Sequence, residues 1–306
     1  MSGALPTRTL DRCLVCGSGE FAPLPLVYEF RGRFPLVECR GCGMRFLRVQ
    51  PVGEGLAELY APQYFERDFR CGRSAAAATD RDAFRAENRA LLEEFERLVP
   101  GRAVPRRLLE IGSAAGWLLL EARERGWSAR GVELSADAVA RARALELDVI
   151  HGDVTAARLP DESADLVYMG DVLEHVPDCR AVLEEAWRVL APGGFLYLRG
   201  PITTHSLGRA FALRFCRITG RELTLREPPY HLWEFTPGTL EGLLERVGFA
   251  RVSSRQTKIP PGRPHGCKSL PERAALLAFD LVNWPITRVF NARGDRIQLV
   301  ARRPAR

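Results

Sequence analysis

From residue 107 onward, apolar runs typical of buried strands alternate with segments of helical periodicity. Strand-like runs lie at 107–111, 129–133, 148–151, 164–169 and 194–199, and helix-like segments at 115–125, 136–145 and 179–190 separate most of them. A helix over 237–247 and strands at 249–255 and 296–302 follow. Strands joined by helices must be parallel and covered on both faces. The sequence therefore predicts an α/β, Rossmann-like fold with a seven-stranded, mostly parallel sheet.

Length and charge limit the protein class. The 306 residues suffice for one catalytic domain with a small appendage. No apolar run reaches bilayer length and the first residues lack the apolar core of a signal peptide, so we expect a cytoplasmic protein without a membrane partner. The net charge of +6 comes almost wholly from Arg spread along the chain, which favours a compositional bias over a nucleic-acid face. The oligomeric state stays undetermined.

Two CxxC pairs near the start predict a metal module. Cys13 and Cys16 are separated by 22 residues from Cys39 and Cys42. This spacing is typical of four-cysteine zinc ribbons, in which four thiolates close a structural, non-catalytic Zn²⁺ site. We therefore expect a zinc-ribbon module over 1–50, a helical linker over 51–100 with a helix at 80–98, and a catalytic domain over 101–306. Segments 201–235 and 257–293, the second with a helix near 270–283, are insertions into that domain.

The loop after the first strand, Glu110-Ile-Gly-Ser-Ala-Ala-Gly116, lies where open parallel sheets bind ligands. A phosphate-binding P-loop would need a Lys that is absent here. A dinucleotide fingerprint would place Trp117 at a position that needs a small residue. The remaining interpretation is a ligand without phosphate, held near an acidic strand residue.

These residues resemble the glycine-rich first motif of class I S-adenosylmethionine-dependent methyltransferases, and three later segments resemble that family in the correct order. The resemblance implies that S-adenosylmethionine is the cofactor. Glu133 would hold the ribose hydroxyls, and Asp153 and Val154 would contact the adenine. The complete implied cofactor set is Glu110, Gly112, Ser113, Ala114, Gly116, Glu133, Leu134, Asp153, Val154, Met169, Gly170 and Asp171. Ala114 replaces the middle Gly of the family motif, which leaves open a catalytically degenerate protein that only binds the cofactor.

Candidates for the chemistry lie in two segments. His175 follows the fourth strand beside the expected methyl position, with catalytic and loop-bracing roles equally open. His231 is the preferred general base, with Tyr230 and Glu234 as orienting or substrate-binding groups. The alternative for this segment is aromatic packing ahead of a helix that Thr236 and Pro237 would begin. His205 and Tyr64 are secondary candidates for a lid or a cap and for closure over the cofactor.

A four-cysteine ribbon ahead of this core resembles bacterial methyltransferases that modify sugars or other small metabolites. That resemblance implies a small-molecule acceptor, a sugar or secondary metabolite, although those proteins carry a longer C-terminal domain. The alternative is an RNA methyltransferase whose ribbon contacts phosphates through Arg31, Arg33, Arg40, Arg45 and Arg48.

Overall fold

A computed structural model describes residues 5–59, 81–100, 105–258 and 270–305. Numbered along the chain, its strands are β1 (Thr7–Thr9), β2 (Phe21–Glu29), β3 (Arg33–Cys39), β4 (Arg45–Leu47), β5 (Val49–Pro51), β6 (Arg107–Ile111), β7 (Ser128–Glu133), β8 (Asp148–His151), β9 (Ala164–Gly170), β10 (Leu190–Pro201), β11 (Leu223–Leu225), β12 (Trp233–Glu234), β13 (Ala250–Thr257) and β14 (Arg296–Arg302). Its helices are α1 (Glu54–Leu59), α2 (Arg81–Leu98), α3 (Trp117–Glu124), α4 (Ala136–Ala144), α5 (Cys179–Val189), α6 (Leu207–Thr219), α7 (Pro237–Val247) and α8 (Leu270–Phe290). Among these helices, none is long and apolar enough to cross a membrane.

The central sheet has seven strands in the order β13-β14-β10-β9-β6-β7-β8. Strands β6 to β10 pair in parallel, whereas β14 runs antiparallel to both of its neighbours. The predicted seven-stranded, mostly parallel Rossmann-like sheet is confirmed. The order reverses between β6 and β9, and ligands of open parallel sheets bind at such a reversal.

The helices begin where short polar side chains satisfy their first backbone N–H groups. Ser135 accepts from the backbone N–H of Ala138, and Asp178 accepts from those of Arg180 and Ala181. Thr236 caps α7 with Pro237 in its first turn, as predicted. Each cap fixes the helix at the end that faces the carboxyl edge of the sheet.

A second sheet joins the N-terminal segment to the middle of the chain. Its five strands have the order β11-β2-β3-β4-β12, so residues 223–234 supply both edges of a sheet whose centre is residues 21–47. Trp233 of β12 pairs with Phe46 of β4, and their ring centroids lie 5.4 Å apart. Both side chains are fully buried in a core that also contains residues of the central sheet. The N-terminal strands therefore pack directly onto the catalytic fold.

Helix α8 is longer than predicted. It continues through Pro285 to Phe290, beyond the expected end near residue 283. Pro lacks a backbone N–H and disfavours helix in the preceding residue, which makes it a strong sequence signal for a helix end.

Candidate active site

A cavity of about 640 Å³ opens at the carboxyl ends of β6, β7, β8 and β9. Its volume is within the roughly 300–1,000 Å³ usual for small-molecule sites. Its walls include ten of the twelve predicted cofactor residues: Glu110, Gly112, Ser113, Ala114, Glu133, Leu134, Asp153, Val154, Gly170 and Asp171. Gly116 instead precedes α3, and Met169 is buried in the hydrophobic core. The four sequence motifs thus meet at one cavity.

The glycine-rich loop turns through left-handed backbone conformations. Gly112 has φ +74°, and a Cβ there would lie 2.4 Å from Val172 Cγ2. Gly116 has φ +80°, and its Cβ would lie 2.5 Å from Leu147 Cδ1. Ala114 has φ +47°, so the loop keeps a left-handed residue where the family motif has Gly. Such a conformation costs a non-glycine residue about 1 kcal/mol.

Glu133, at the end of β7, is oriented by the backbone. Its Oε2 accepts a hydrogen bond from the Ala114 N–H and its Oε1 accepts one from the Ser135 N–H, each at 2.8 Å. A carboxylate has about four lone-pair positions, so these bonds leave acceptor capacity on both oxygens. That capacity matches two neighbouring ribose hydroxyls.

Glu110 is a buried carboxyl group on the cavity wall. Its Oε2 has no hydrogen-bond partner among the residues that the structure describes. Burial, together with the charge of Glu133, raises the pKa of Glu110 well above its usual value. An ammonium group in the cavity would supply the missing donor, so this orphaned oxygen fits the amino group of an amino-acid ligand.

Asp153 and its neighbours form the far end of the cavity. Asp153 Oδ1 accepts from the backbone N–H and the hydroxyl of Thr155, which fixes the carboxylate at the start of a short 3₁₀ turn. Val154 is buried beside it, whereas Leu134 is 59% exposed at the cavity wall. A carboxylate and two apolar side chains in one cavity suit a flat heteroaromatic ring with an amino group. With Glu110 and Glu133, these residues fit S-adenosylmethionine.

Asp171 lies where β9 ends. Arg296 on β14 donates from Nη2 to both of its carboxylate oxygens, at 2.6 and 2.8 Å. This ion pair ties the cavity wall to the antiparallel edge of the central sheet. Sequence reasoning missed Arg296, because its strand follows Asp171 by more than a hundred residues.

Two histidines meet beside the cavity. His175 lines it, and the His175 and His231 rings pack edge to face with centroids 4.9 Å apart. His175 Nδ1 lies 2.9 Å from the carbonyl oxygen of Tyr230, so the backbone of Tyr230 orients this ring. Burial, reinforced by His231, lowers the pKa of His175 to about 3. His175 is therefore neutral at physiological pH.

His231 has the opposite shift because of Glu234. Its Nδ1 lies 3.6 Å from Glu234 Oε1. Burial alone would lower the pKa of His231, but the close carboxylate of Glu234, with the charges of Glu174 and Asp171, raises it to about 8. His231 is thus poised to exchange a proton near physiological pH.

Glu234 is buried and held in place by three groups. It accepts hydrogen bonds from the Tyr28 hydroxyl at 3.1 Å and from the Thr203 hydroxyl at 3.0 Å, besides its contact with His231. Burial would raise the pKa of Glu234, yet His231 and Thr203 hold it below its usual value. Sequence reasoning missed Tyr28 and Thr203, since neither belongs to a recognisable motif.

Glu174 is a further carboxyl group that the sequence analysis did not single out, although it directly precedes His175. Its Oε1 is buried without a hydrogen-bond partner among the described residues and lies 3.6 Å from His175 Nε2. Burial and the charge of Asp171 raise the pKa of Glu174 to about 8. Of the secondary candidates, His205 ends a short 3₁₀ turn, and Tyr64 lies outside the described residues.

The four N-terminal cysteines form one cluster. Their Sγ atoms all lie within 4.8 Å of one another, with Cys13 to Cys42 at 3.7 Å and Cys16 to Cys39 at 3.5 Å. Thiolates about 2.3 Å from a tetrahedral Zn²⁺ would be roughly 3.8 Å apart. Each CxxC turns in the same way, because Gly17 N–H donates to the Cys13 carbonyl and Gly43 N–H to the Cys39 carbonyl, both at 2.8 Å. The donor set and its spacing fit zinc.

Comparison with known proteins identifies the catalytic fold. Residues 82–254 match a family model described as a methyltransferase domain. A ubiquinone/menaquinone biosynthesis C-methyltransferase of Methylobacterium nodulans is 32% identical over 179 residues, which cover 52% of this chain and 71% of that protein. A probable S-adenosylmethionine-dependent methyltransferase of Mycolicibacterium smegmatis is 34% identical over 109 residues, 36% of this chain and 37% of that protein.

A solved structure shares the fold. The S-adenosylmethionine-dependent methyltransferase from Archaeoglobus fulgidus aligns with a TM-score of 0.51 and 20% identity over 79% of this chain and 99% of its own. The family match spans more than half of the chain and contains the glycine-rich loop, His175 and every residue of the cavity wall except Gly53 and Leu56. The chain therefore belongs to the methyltransferase-domain family and is an S-adenosylmethionine-dependent methyltransferase.

Proposed function

We propose that this enzyme methylates a hydroxyl group or an acidic carbon of a small-molecule acceptor, with His231 as the general base. The observation that carries this proposal is the His231–Glu234 pair, in which Glu234 is buried and the His231 ring, 28% exposed, contacts His175 at the cavity wall. A base is needed when the acceptor carries a proton that must leave as the methyl group arrives. The sugar or secondary-metabolite class indicated by the sequence remains the preferred acceptor.

The cofactor would be held by the carboxylates at the strand ends. Glu110 would face the amino group, Glu133 the two ribose hydroxyls, and Asp153 the adenine amino group. When bound, S-adenosylmethionine supplies an electrophilic methyl group on a sulfonium. The loop from Gly112 to Gly116 brings the backbone close to the ligand, so orientation by a rigid cavity provides much of the rate enhancement.

The proton would move to His231. Its Nδ1 faces Glu234, which leaves Nε2 to take the proton from the acceptor oxygen or carbon. Glu234 stabilises the imidazolium that results, and its own bonds to Tyr28 and Thr203 keep it ionised and fixed. His175, neutral and oriented by the Tyr230 carbonyl, would support the His231 ring and shape the wall of the cavity.

The cysteine cluster would hold a structural Zn²⁺. Four thiolates fill a tetrahedral shell and leave no position for substrate. The metal would fix the turn between β3 and β4, and β4 pairs with β12, where Glu234 lies. The module would thereby support the acceptor side of the site.

The arginines of the N-terminal segment support a small acceptor over RNA. Arg33 pairs with Glu222, Arg45 with Glu38 at 2.8 Å, and Arg48 with Asp11 at 3.9 Å. For these three of the five arginines, a phosphate would have to displace the carboxylate, at a cost of up to about 1 kcal/mol for each exposed pair.

The test is transfer of labelled methyl groups from S-adenosylmethionine to fractionated sugar, quinone and other metabolite pools. We expect a small labelled product with the wild-type enzyme and about a hundred-fold slower formation with His231→Gln. Cofactor affinity, measured by calorimetry, should stay within about three-fold in this variant. Labelling of RNA alone, or an equal loss of affinity and rate in His231→Gln, would contradict the proposal.

A further inference from the structure

Helices α6 and α8 carry an exposed apolar surface, here called the outer face. Phe211, Ile218 and Phe290 are 60%, 75% and 73% exposed, respectively. The outer face consists of the large apolar side chains that these two helices leave exposed: Phe211, Phe215, Ile218, Leu277, Phe279, Leu281, Val282, Trp284, Val289 and Phe290. Single exposed apolar residues are ordinary, but ten of them on two neighbouring helices indicate a contact surface.

The C-terminal half of α8 differs from an ordinary surface helix, because polar side chains are buried and apolar side chains face the solvent. Asn283 and Thr287, one helical turn apart, are buried, whereas Leu281, Val282 and Trp284 are exposed. Asn283 Nδ2 donates to the Arg293 carbonyl at 2.7 Å and Thr287 Oγ1 donates to the Asn283 carbonyl at 3.0 Å, whereas Asn283 Oδ1 is buried without a hydrogen-bond partner among the described residues. A helix that hydrogen-bonds inward and is apolar outward is suited to an apolar medium on its outside.

Helix α6 extends the same surface. Leu213 and Cys216 point inward, while Phe211, Phe215 and Ile218 recur at helical spacing on the exposed side. The Phe211 and Phe279 ring centroids lie 5.9 Å apart, which joins the two helices into one surface.

Positive charge accompanies the apolar residues. Residues 207–221 and 281–293 include six arginines and no Asp or Glu, whereas the first half of α8 contains Glu272 and Asp280; the arginines are Arg209, Arg214, Arg217, Arg221, Arg288 and Arg293. Arg214 and Arg217 are exposed on α6, and neither has an ion pair with a carboxylate of the described residues. The Arg288 guanidinium lies 5.2 Å from the centre of the Trp284 ring. Arginines beside exposed Trp and Phe are typical of segments that lie in the headgroup region of a bilayer.

We propose that the outer face docks on an anionic membrane surface, with α6 and α8 lying in the interfacial layer rather than crossing it. Apolar side chains would enter the acyl boundary and the arginines would contact anionic headgroups. A second copy of the chain fits this face less well, because a two-fold interface sets the same surface against itself and would place an arginine-rich surface against another one.

The outer face begins next to the acceptor side of the site. Helix α6 starts at Leu207, directly after the short turn that contains Thr203, whose hydroxyl donates to Glu234. A docked bilayer would therefore lie close to the proposed base. Docking nevertheless goes beyond the methyl transfer and is measurable without an acceptor.

The test is flotation of the full-length protein with vesicles of phosphatidylcholine alone or mixed with phosphatidylglycerol, at low and high salt. The wild type should float with the anionic vesicles, and high salt should weaken the binding. Phe211→Ser/Ile218→Ser should reduce vesicle affinity by at least ten-fold. Arg214→Gln/Arg217→Gln should reduce it about 30-fold for anionic vesicles, since each basic residue contributes about 1 kcal/mol.

Matched controls keep the experiment decisive. Val252→Ser removes an exposed apolar side chain on β13, and Arg141→Gln/Arg246→Gln removes two exposed arginines elsewhere; both should bind vesicles as the wild type does. Circular dichroism and cofactor affinity verify that each variant is folded. Absence of flotation at low salt, or equal binding to neutral and anionic vesicles, would overturn the proposal. So would a solution dimer that Phe211→Ser/Ile218→Ser dissociates, because the face would then join two copies.

Discussion

At the scale of single residues, the site relies on carboxyl groups whose surroundings give them different tasks. Glu133 is held by two backbone N–H groups at the cavity, Glu110 is buried with an orphaned oxygen, and Glu234 is buried but kept ionised by its partners. The first two suit hydrogen-bond donors of a ligand, and the third suits an imidazolium. Position alone would not distinguish them; burial and hydrogen bonding do.

Replacement of Glu133 tests the ribose assignment. Glu133→Ala removes an acceptor for two hydroxyls and leaves the Ala114 N–H without its present partner. We expect the dissociation constant for S-adenosylmethionine to rise about 100-fold. The reason is the loss of roughly 3 kcal/mol of binding free energy from hydrogen bonds to a charged group. Calorimetric titration measures this dissociation constant. Glu245→Ala, which removes a carboxylate on the exposed side of α7, is the control and should leave the constant unchanged. Unchanged affinity in Glu133→Ala would remove the assignment.

The pH dependence of turnover tests the role of His231. Only the neutral form of His231 can accept a proton, so kcat/KM should rise with pH and level off above about 8. This pKa reflects the charges of Glu234, Glu174 and Asp171, which outweigh the lowering effect of burial. Glu234→Gln removes the largest of these raising contributions, and the inflection should move to lower pH. A purely structural Glu234 would lower activity without moving the inflection.

At the scale of elements, the loop between β6 and α3 shows how local backbone conformation selects residue type. Gly112 and Ala114 both have positive φ, but Gly112 is also pressed against Val172. Glycine at 112 is therefore required by space as well as by conformation, whereas Ala114 is tolerated at a conformational cost.

Two substitutions in this loop should act in opposite directions. Gly112→Ala should destabilise the fold and weaken cofactor binding by more than ten-fold, since its Cβ would lie 2.4 Å from Val172 Cγ2. Ala114→Gly should relieve about 1 kcal/mol of strain, partly offset by the greater freedom of Gly in the unfolded chain. Thermal unfolding and calorimetry compare the pair. Equal destabilisation by both would contradict the loop conformation.

Sequence patterns predicted the central sheet well because its signal is local. Buried parallel strands such as 164–169 are almost wholly apolar, and the helices between them are capped by residues such as Asp178. Long-range pairings were not accessible in the same way. Nothing in the residues of β11 and β12 specifies that they pair with strands near the N-terminus, and the network of Tyr28, Thr203 and Glu234 depends on that pairing.

The outer face is another feature that sequence patterns did not reveal. The sequence analysis predicted no membrane partner, because no apolar run is long enough to span a bilayer. Helical periodicity gives the width of an apolar stripe, but it does not say whether that stripe faces the core. Among the α8 side chains whose burial the structure describes, 277–279 and 281–290, the buried ones are the polar Asn283 and Thr287, which reverses the usual assignment.

At the scale of the whole molecule, the two sheets meet at the proposed acceptor side of the site. The cofactor cavity is built mainly on the central sheet, whereas Glu234 lies in β12, paired with β4 near the cysteine cluster. Loss of the zinc proposed for the cysteine cluster should therefore affect the two halves of the site unequally.

Zinc removal tests this coupling. Dialysis against a chelator should lower kcat by more than ten-fold and change the fluorescence of Trp233, which packs on Phe46 of β4. The dissociation constant for S-adenosylmethionine should change by less than about three-fold, because the residues proposed to bind the cofactor lie at the strand ends of the central sheet. Restored activity on adding Zn²⁺ is the control. A parallel loss of cofactor affinity would show that the metal supports the entire fold.

The second sheet combines strands from two distant parts of the chain, and this affects how it forms during synthesis on the ribosome. Strands β2, β3 and β4 emerge early, but their edges stay open until residues 48–222 have been translated and β11 and β12 follow. Open strand edges readily pair with other chains. Capture of the metal by the nascent ribbon would hold these strands in register during that interval, so zinc-starved cells should accumulate aggregated protein even when translation rates are normal.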